Sequence, residues 1–345
     1  MKKTILSAVL CAVMAGSVSM CGKAKKELHI FNWADYMNPK VIEKFEKENN
    51  CTVVMNYFDS NEALYAKLKA GAQGYDILFP SSYMSKIMYE QNMLREIDRS
   101  KLKNIRNIDT DFIARGLDPV MKYSVPYMVT YCGIAYNKKK VKNFKPSWSM
   151  YDRTDLKGRM TLLNDVREVI GAALKFNGYR YNTTDDTELQ KAGDTVIRWK
   201  RNIAKFDVDE AKRGLSSGEF YLIQVYNGDA LQIMGENEDI GFALPSEGTS
   251  ISQDDFVIPV NSNNTEMAYR FINFMLDPVN SKDNMDFVYY LSPNKEAQKL
   301  MDKEFMSNPA INPSDEVLSK CDFLIDLGEN NTKYSDLWDK IKSSK

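Results

Sequence analysis

Short apolar runs alternate with amphipathic helical patterns along most of the chain. Runs at 28–32, 53–57 and 75–80 have the length and composition of strands. Between them, Pro39 after a capping Asn38 predicts one helix, and a second helical pattern follows from residue 61. Strands that alternate with helices in this way predict an α/β fold of layered sheets and helices.

The pattern also predicts two lobes. The extended, aromatic-rich segment 123–136 is the expected first crossing between them, and 256–259 is the expected return. Beyond the first crossing the alternation repeats, with strands and helices expected at 160–163, 166–175, 187–200 and 221–226. Further helices are expected at 265–276 and 281–290, and the C-terminal helical stretch is expected to pack on the second lobe. The expected division is 27–135 with 257–300 for lobe 1, and 136–256 with 301–345 for lobe 2.

The first 21 residues have the features of a bacterial signal peptide. Lys2 and Lys3 precede an apolar run at 5–18, which is shorter than the roughly 20 residues that a bilayer span requires. Cys21 then follows in a sequence similar to a lipobox, so we expect a periplasmic protein anchored to the membrane through lipid on Cys21 alone. The alternative is an ordinary cleaved leader with Cys21 unmodified, because the residue before a lipobox cysteine is normally small and Met20 is not.

Composition and charge exclude several classes of function. The 46 basic and 47 acidic residues leave almost no net charge, which argues against nucleic-acid binding. Cys51, Cys132 and Cys321 have no close spacing and His29 is the only histidine, so neither a disulfide framework nor a zinc site is indicated. The sequence also lacks a nucleophile elbow and a phosphate-binding glycine loop. We therefore expect neither an enzyme nor a bound cofactor or metal.

Candidate binding residues follow two of the predicted strands. Trp33, Asp35 and Tyr36 come at the end of the first strand, and Ser81 and Tyr83 come after the third. Ligands of open α/β sheets bind outside the carboxyl ends of strands, so both groups fall where a cleft is expected. A carboxylate beside two aromatic faces favours an organic cation, because the rings attract positive charge and the acid neutralises it.

Several short motifs carry a resemblance to a known family. They occur in order along the chain: Phe31-Asn32-Trp33-Ala34-Asp35-Tyr36, Ser60-Asn61-Glu62, Tyr65-Ala66-Lys67-Leu68, Tyr75-Asp76, Pro80-Ser81-Ser82-Tyr83, Asp165-Val166-Arg167-Glu168, Asn227-Gly228, and Tyr290 followed by Ser292-Pro293-Asn294. With these motifs the chain resembles, over essentially its whole mature length, the substrate-binding protein of a bacterial spermidine/putrescine ABC importer. The resemblance implies a type II periplasmic binding protein fold, in which two lobes joined by crossover strands close on a polyamine. It further implies a monomer whose partner is the permease in the inner membrane.

The resemblance also implies a set of ligand-binding residues. Aromatic rings would contact the methylenes and ammonium groups of the polyamine, while hydroxyls and carboxylates would bind its amines. The implied set is Trp33, Asp35, Tyr36, Ser81, Tyr83, Asp165, Glu168, Tyr226, Asp229, Asp254 and Tyr290. Within it, Asp35 and Asp229 match acids of putrescine-type members, whereas Asp165 with Glu168 is more similar to the spermidine type.

Three positions depart from the family pattern. Ala34 stands where a hydroxyl is usual, Ser252 where an aromatic residue is usual, and Leu324 near a usual amide. Each change removes a contact to the ligand. The class of ligand is unaffected, but its length stays open between putrescine and spermidine.

Other interpretations of these residues remain. Asp165 and Glu168 are spaced as a helix capping box, which does not exclude a ligand-binding role. Tyr289-Tyr290 is similar to the paired phenolate ligands of ferric-binding proteins with the same architecture. A third interpretation is a surface lipoprotein that serves as an adhesin or sensor.

Overall fold

The computed structural model describes residues 26–344, apart from the side chains of residues 111 and 115. The predicted signal peptide with Cys21 lies outside this range. The strands are β1 (Lys26–Trp33), β2 (Cys51–Phe58), β3 (Ile77–Leu78), β4 (Val125–Asn137), β5 (Met160–Leu162), β6 (Ile203–Phe206), β7 (Leu222–Tyr226), β8 (Ile240–Ala243), β9 (Ser250–Phe256) and β10 (Asp322–Phe323).

Helices separate most of these strands. The α-helices are α1 (Pro39–Asn49), α2 (Asn61–Lys69), α3 (Ser82–Glu90), α4 (Thr110–Arg115), α5 (Val166–Phe176), α6 (Asp186–Lys200), α7 (Asp209–Ser217), α8 (Asn227–Glu236), α9 (Thr265–Met275), α10 (Pro278–Val288), α11 (Lys295–Gln298), α12 (Lys303–Ser307), α13 (Asp315–Leu318) and α14 (Asn331–Ser343). Short 3₁₀ helices lie at Arg99–Lys101, Lys103–Asn107, Trp148–Asp152, Thr154–Leu156 and Gly328–Asn330.

Two sheets organise the fold. The first has the order β2-β1-β3 with all strands parallel, so that Trp33 at the end of β1 lies opposite Phe58 at the end of β2. The second has the order β10-β9-β4-β7-β5-β6, with β8 also paired to β4. An isolated bridge between Leu78 and Val257 joins the two sheets. The α/β architecture predicted from the sequence is confirmed.

The long strand β4 connects two separate cores. Its first half pairs antiparallel with β9, and its second half pairs with β7 and β8. Val125 and Tyr127 belong to a core built around β1, α1 and α9, whereas Cys132 and Ile134 belong to a core built around α5, α6 and α14. The molecule therefore has two lobes, and β4 with β9 joins them.

The return strand lies earlier than the sequence pattern predicts. The segment expected to cross back, 256–259, contains only the last residue of β9 and isolated bridges at Val257 and Pro259, while β9 (Ser250–Phe256) runs beside β4 along its whole length. All seven residues of β9 are buried although most are polar, because the strand lies between β10 and β4 where the lobes meet. A polar strand of this kind gives no alternating apolar signal.

The predicted helix starts agree with the structure to within one residue, except that the helix expected at 281–290 is α10, which begins at Pro278 and ends at Val288. The side chain of Asn38 accepts a hydrogen bond from the backbone N–H of Lys40, and Pro39 occupies the first turn of α1.

The C-terminal helix α14 packs on α5 and α6, as predicted. Met301, Phe305 and Ile311, however, pack in the core that contains β1.

Gly171 allows a close contact that positions α5. A Cβ atom at this position would overlap the ring of Tyr181, so we expect Gly171→Ala to lower the free energy of unfolding by about 1–3 kcal/mol. Gly235 in α8 is the matched control, because an added Cβ there meets only the Tyr289 hydroxyl at 4.0 Å. Gly235→Ala should leave stability unchanged or raise it by up to about 1 kcal/mol. Urea unfolding followed by circular dichroism checks both variants, and equal effects would contradict the packing argument.

Candidate functional site

An enclosed cavity lies where the two lobes face each other. Most of the predicted ligand-binding residues line it: Trp33, Tyr36, Ser81, Asp165, Glu168, Tyr226, Asp229, Asp254 and Tyr290. Its volume is about 40 Å³, a few times the roughly 10–15 Å³ that one enclosed water needs. The space is therefore small in this structure.

Two aromatic rings, those of Trp33 and Tyr226, line the cavity and make an edge contact with each other. The indole N–H of Trp33 donates a hydrogen bond of 2.9 Å to the carbonyl of Phe79, and the indole ring packs 4.5 Å from the ring of Phe58. These contacts fix the orientation of Trp33. The ring of Tyr226, at the end of β7, lies 6.5 Å from it between centroids. Together they form walls suited to a cation or a methylene chain.

A second aromatic group, Tyr36 with Tyr290, lines another part of the cavity. Their rings lie edge to face, with centroids 5.0 Å apart. The hydroxyl of Tyr127 fixes the Tyr36 backbone by donating to its carbonyl at 2.6 Å. Gly228, the second residue of α8, permits the close approach of Tyr290, because a Cβ there would overlap the tyrosine ring. The close packing of Tyr290 thus requires a glycine at the second position of the Asn227-Gly228 motif.

Asp254 on β9 has both carboxylate oxygens held by hydroxyl groups. Tyr36 donates to one oxygen at 2.7 Å and Ser81 donates to the other at 2.6 Å. Asn61 in turn donates to the Ser81 hydroxyl at 3.1 Å and accepts from the Ser81 backbone N–H at 2.9 Å. Burial raises the pKa of Asp254 to about 6, against the lowering effect of these hydroxyls.

Asp165 caps the N-terminus of α5. Its carboxylate accepts from the backbone N–H groups of Arg167 at 2.9 Å and Glu168 at 3.0 Å. Burial raises its pKa, while the two backbone bonds oppose the shift. The cap therefore holds a carboxylate in a fixed position at the cavity wall.

Only half of the predicted capping box forms, because Asp165 accepts from the Glu168 backbone N–H but the Glu168 side chain has other partners. Its carboxylate accepts from Ser250 at 2.7 Å and from Tyr181 at 2.7 Å, so it is held by β9 and by the segment after α5. Burial, with a further contribution from the charge of Asp165, raises the pKa of Glu168 to about 7. We call Asp165, Glu168 and Asp254 the central acids.

The structure leaves two predicted residues outside the cavity lining. Asp35 has a left-handed backbone with φ of 55° and a side chain that is 64% exposed, so its carboxylate points to an outer groove. Tyr83 is buried behind the cavity, where its hydroxyl donates to Glu62 at 3.2 Å and its ring lies 5.3 Å from the guanidinium of Arg167. The directions of these two side chains cannot be predicted from their positions in the sequence.

Lys212 on α7 is a site residue that the sequence interpretation missed. Its ammonium lies 3.0 Å from Asp35, 3.5 Å from Asp209 and 3.7 Å from Asp229. Burial would lower its pKa, but the carboxylates of Asp229, Asp35 and Asp209 outweigh that effect and raise it. We call Asp35, Asp209 and Asp229 the outer acids.

Further residues complete the lining. The three positions that depart from the family pattern, Ala34, Ser252 and Leu324, all lie on the cavity wall. Asn61, which belongs to a motif of the resemblance, is the one missed residue that the sequence could have revealed. The others are Phe58, Thr130, Val208, Asp209 and Lys212.

Two lobes that enclose a small cavity define the class of protein. This is the architecture of binding proteins that close around a small solute. The chain belongs to the bacterial extracellular solute-binding protein family, which it matches over residues 40–313. Within residues 26–344, no helix combines the length and apolarity needed to cross a bilayer.

Three known proteins are similar to this chain over most of its length. The spermidine/putrescine-binding periplasmic protein of Salmonella typhimurium is 32% identical over 320 residues, which are 92% of each chain. A solved structure titled a putative spermidine/putrescine ABC transporter from Listeria monocytogenes has a TM-score of 0.87 and 34% identity, with coverage of 93% of this chain and 100% of the other. The Tp0655 lipoprotein of Treponema pallidum has a TM-score of 0.80 and 34% identity, with coverage of 92% and 99%.

Glu168 makes the stability of the ligand-free protein depend on pH. Its pKa is near 7 in the folded state and 4.5 in its ordinary state, so the folded protein binds more protons between these values. The contribution of Glu168 to the free energy of unfolding is fully present below about pH 4.5 and is lost as pH rises through about 7. Between pH 5 and pH 8 we expect this group to lower the free energy of unfolding by on the order of 1–3 kcal/mol.

Urea unfolding of ligand-free wild type and Glu168→Gln at pH 5 and pH 8 measures this effect. The variant should lose less stability than wild type as pH rises. Glu219→Gln, at an exposed position, is the control and should follow wild type. Parallel pH dependence in wild type and Glu168→Gln would show that Glu168 is not the source.

Proposed function

We propose that this chain binds a polyamine, putrescine or spermidine or both, and delivers it to the permease of an ABC importer in the inner membrane. The observation that carries the proposal is a cavity with aromatic walls and three buried central acids. Within residues 26–344, no lysine or arginine lies at ion-pair distance from those acids. The names of the spermidine/putrescine-binding relatives support the same ligand class.

The energies of desolvation and of pairing favour an amine ligand that carries its own positive charges. Taking an ammonium out of water costs several kcal/mol. One desolvated contact with an aromatic face returns about 2 kcal/mol, so Trp33 and Tyr226 alone do not offset that cost. A carboxylate about 4 Å away contributes on the order of 4 kcal/mol at an effective dielectric constant near 20. Each ammonium therefore needs an acid, and the central acids supply them.

The same charges exclude other ligand classes. An anion would meet only repulsion from the central acids, and an amino acid would bring a carboxylate of its own. A neutral sugar would leave the buried carboxylates uncompensated. A slender chain of methylenes between ammonium groups matches the walls and the acids together.

Closure of the lobes is the proposed mechanism of capture. Trp33, Tyr36 and Ser81 come from elements packed with the first core, and Asp165 and Tyr226 come from elements packed with the second. A ligand that contacts both sets favours the closed form, which then docks on the permease. We propose the lobe limits expected from the sequence with two changes: the return crossing is β9 (Ser250–Phe256), and residues 301–311 belong to lobe 1 because their apolar side chains pack there.

The structure offers less support for the ferric alternative. Tyr290 lines the cavity, whereas Tyr289 has a left-handed backbone and lines the outer groove. Neighbouring phenols that face different spaces do not form a paired ligand set for one iron. The cavity also has Trp33 on its wall, which a hard metal ion would not need. We therefore retain polyamine binding without catalysis as the proposed role.

Asp254 provides a direct test. Asp254→Asn removes the charge at the junction of the lobes, and such a loss at a buried charge pair costs roughly 2–5 kcal/mol, at least about 30-fold in affinity. Isothermal titration of the soluble protein, freed of carried-over ligand, with putrescine and spermidine measures the loss. Wild type should bind at least one of them with 1:1 stoichiometry.

Asp255→Asn is the matched control for this test. Asp255 is the next residue of β9 and equally buried, but its carboxylate accepts from Gln253 at 2.6 Å and does not line the cavity. This variant should retain most of the affinity. Near-normal binding by Asp254→Asn, or no polyamine binding by wild type, would contradict the proposed polyamine site.

We further propose that the protein is a periplasmic monomer anchored through lipid on Cys21. The signal peptide with its lipobox-like Cys21 supports the anchor, as does the description of a similar solved protein as a lipoprotein. In bacteria that express the full chain, Cys21→Ala should abolish the incorporation of labelled palmitate and release the protein from membranes. Cys11→Ala, in the apolar run of the leader, should retain both properties. Unchanged labelling of Cys21→Ala would contradict the anchor.

A further inference from the structure

Lys212 places an ammonium group of the protein itself in the cavity. Among residues 26–344 it is the one lysine or arginine that lines this space, and its side chain is only 11% exposed. Its partners come from both sides of the cavity, because Asp35 follows β1 while Asp209 and Asp229 belong to α7 and α8. The side chain thus makes contacts that an ammonium group of a ligand would make.

Two separate groups of acids lie at the cavity, and one member of the outer group, Asp35, lies beside the cavity and not on its wall. Asp165 lies near enough to Glu168 and Asp254 for its charge to act on both of them. Asp229 instead feels the charges of Lys212 and the other outer acids. The Tyr36–Tyr290 pair stands between the groups, since Tyr36 bonds Asp254 and the backbone N–H of Asp229 donates to the Tyr290 hydroxyl at 3.2 Å.

We propose that Lys212 determines which amines the protein accepts, because its ammonium occupies the outer acids and leaves only the central acids for the ligand. This inference rests on the proposed polyamine function. A short diamine needs to satisfy only the central acids. A longer amine with a further ammonium would have to compete with Lys212 for Asp229 and Asp35, and the covalent attachment of Lys212 gives the lysine the advantage.

Removal of the lysine charge should therefore change selectivity. In Lys212→Met the outer acids are left without a cation, so an additional ligand ammonium gains partners that wild type denies it. We expect the ratio of spermidine affinity to putrescine affinity to rise by ~10-fold or more, as for one added charge pair. Lys212→Arg keeps the charge and should keep the wild-type ratio.

Isothermal titration of full-length mature protein with both amines measures this ratio. Lys205→Met is the matched control, because Lys205 pairs with Asp207 and Glu210 on the same lobe but does not line the cavity. A second substitution, Asp229→Asn in the Lys212→Met background, removes the one outer acid that is buried in the cavity wall and should reduce the gain for spermidine. Lys212→Gln replaces Lys212→Met if the latter does not fold.

The outcomes separate this inference from the function on which it rests. If wild type binds a polyamine but the charge-removing variant changes both affinities by the same factor, Lys212 only holds the lobes together and the selectivity role is overturned. If wild type binds neither amine, the proposed function itself fails, and the inference fails with it.

Discussion

The cleft depends on three carboxylates that are removed from water and form no ion pair with a lysine or arginine in residues 26–344, although the charge of Arg167 acts on one of them, Asp165. Burial raises the pKa of each central acid, and the charge of Asp165 adds to the shift for Glu168 and Asp254. The fold tolerates these charges because hydroxyls and backbone N–H groups from several elements donate to them. A buried charge is costly when it lacks such partners, and the remaining cost is what a cationic ligand relieves.

This arrangement explains why the residues around the acids have the identities they do. Asn61 positions the Ser81 hydroxyl, Tyr127 fixes the backbone of Tyr36, and Ser250 and Tyr181 hold Glu168. None of these supporting groups carries a charge. They orient the carboxylates without neutralising them, so the electrostatic demand on a ligand is preserved.

Much of the fold and most of the cavity lining follow from sequence patterns, because strand ends and helix caps place side chains at predictable edges. The exceptions have local causes. Asp35 turns outward through a left-handed backbone, and Tyr83 points behind the cavity toward Glu62 and Arg167. The polar strand β9 lacks an apolar period, and Lys212 belongs to a helix charged along much of its length, so its role depends on tertiary contacts that no local pattern encodes.

The location of Asp254 has a kinetic consequence. β9 is paired with β4, and these two strands join the lobes, so Asp254 lies at the pivot and not at the rim of the cleft. A group at a pivot keeps nearly the same surroundings while the lobes swing. In the proposed closure, the first ammonium would therefore meet its partner in the open form, and the movement of the lobes would add the contacts of Asp165 and Tyr226. Capture would then have two stages: a fast, salt-sensitive encounter led by charge, and a slower closing step that sets the lifetime of the complex.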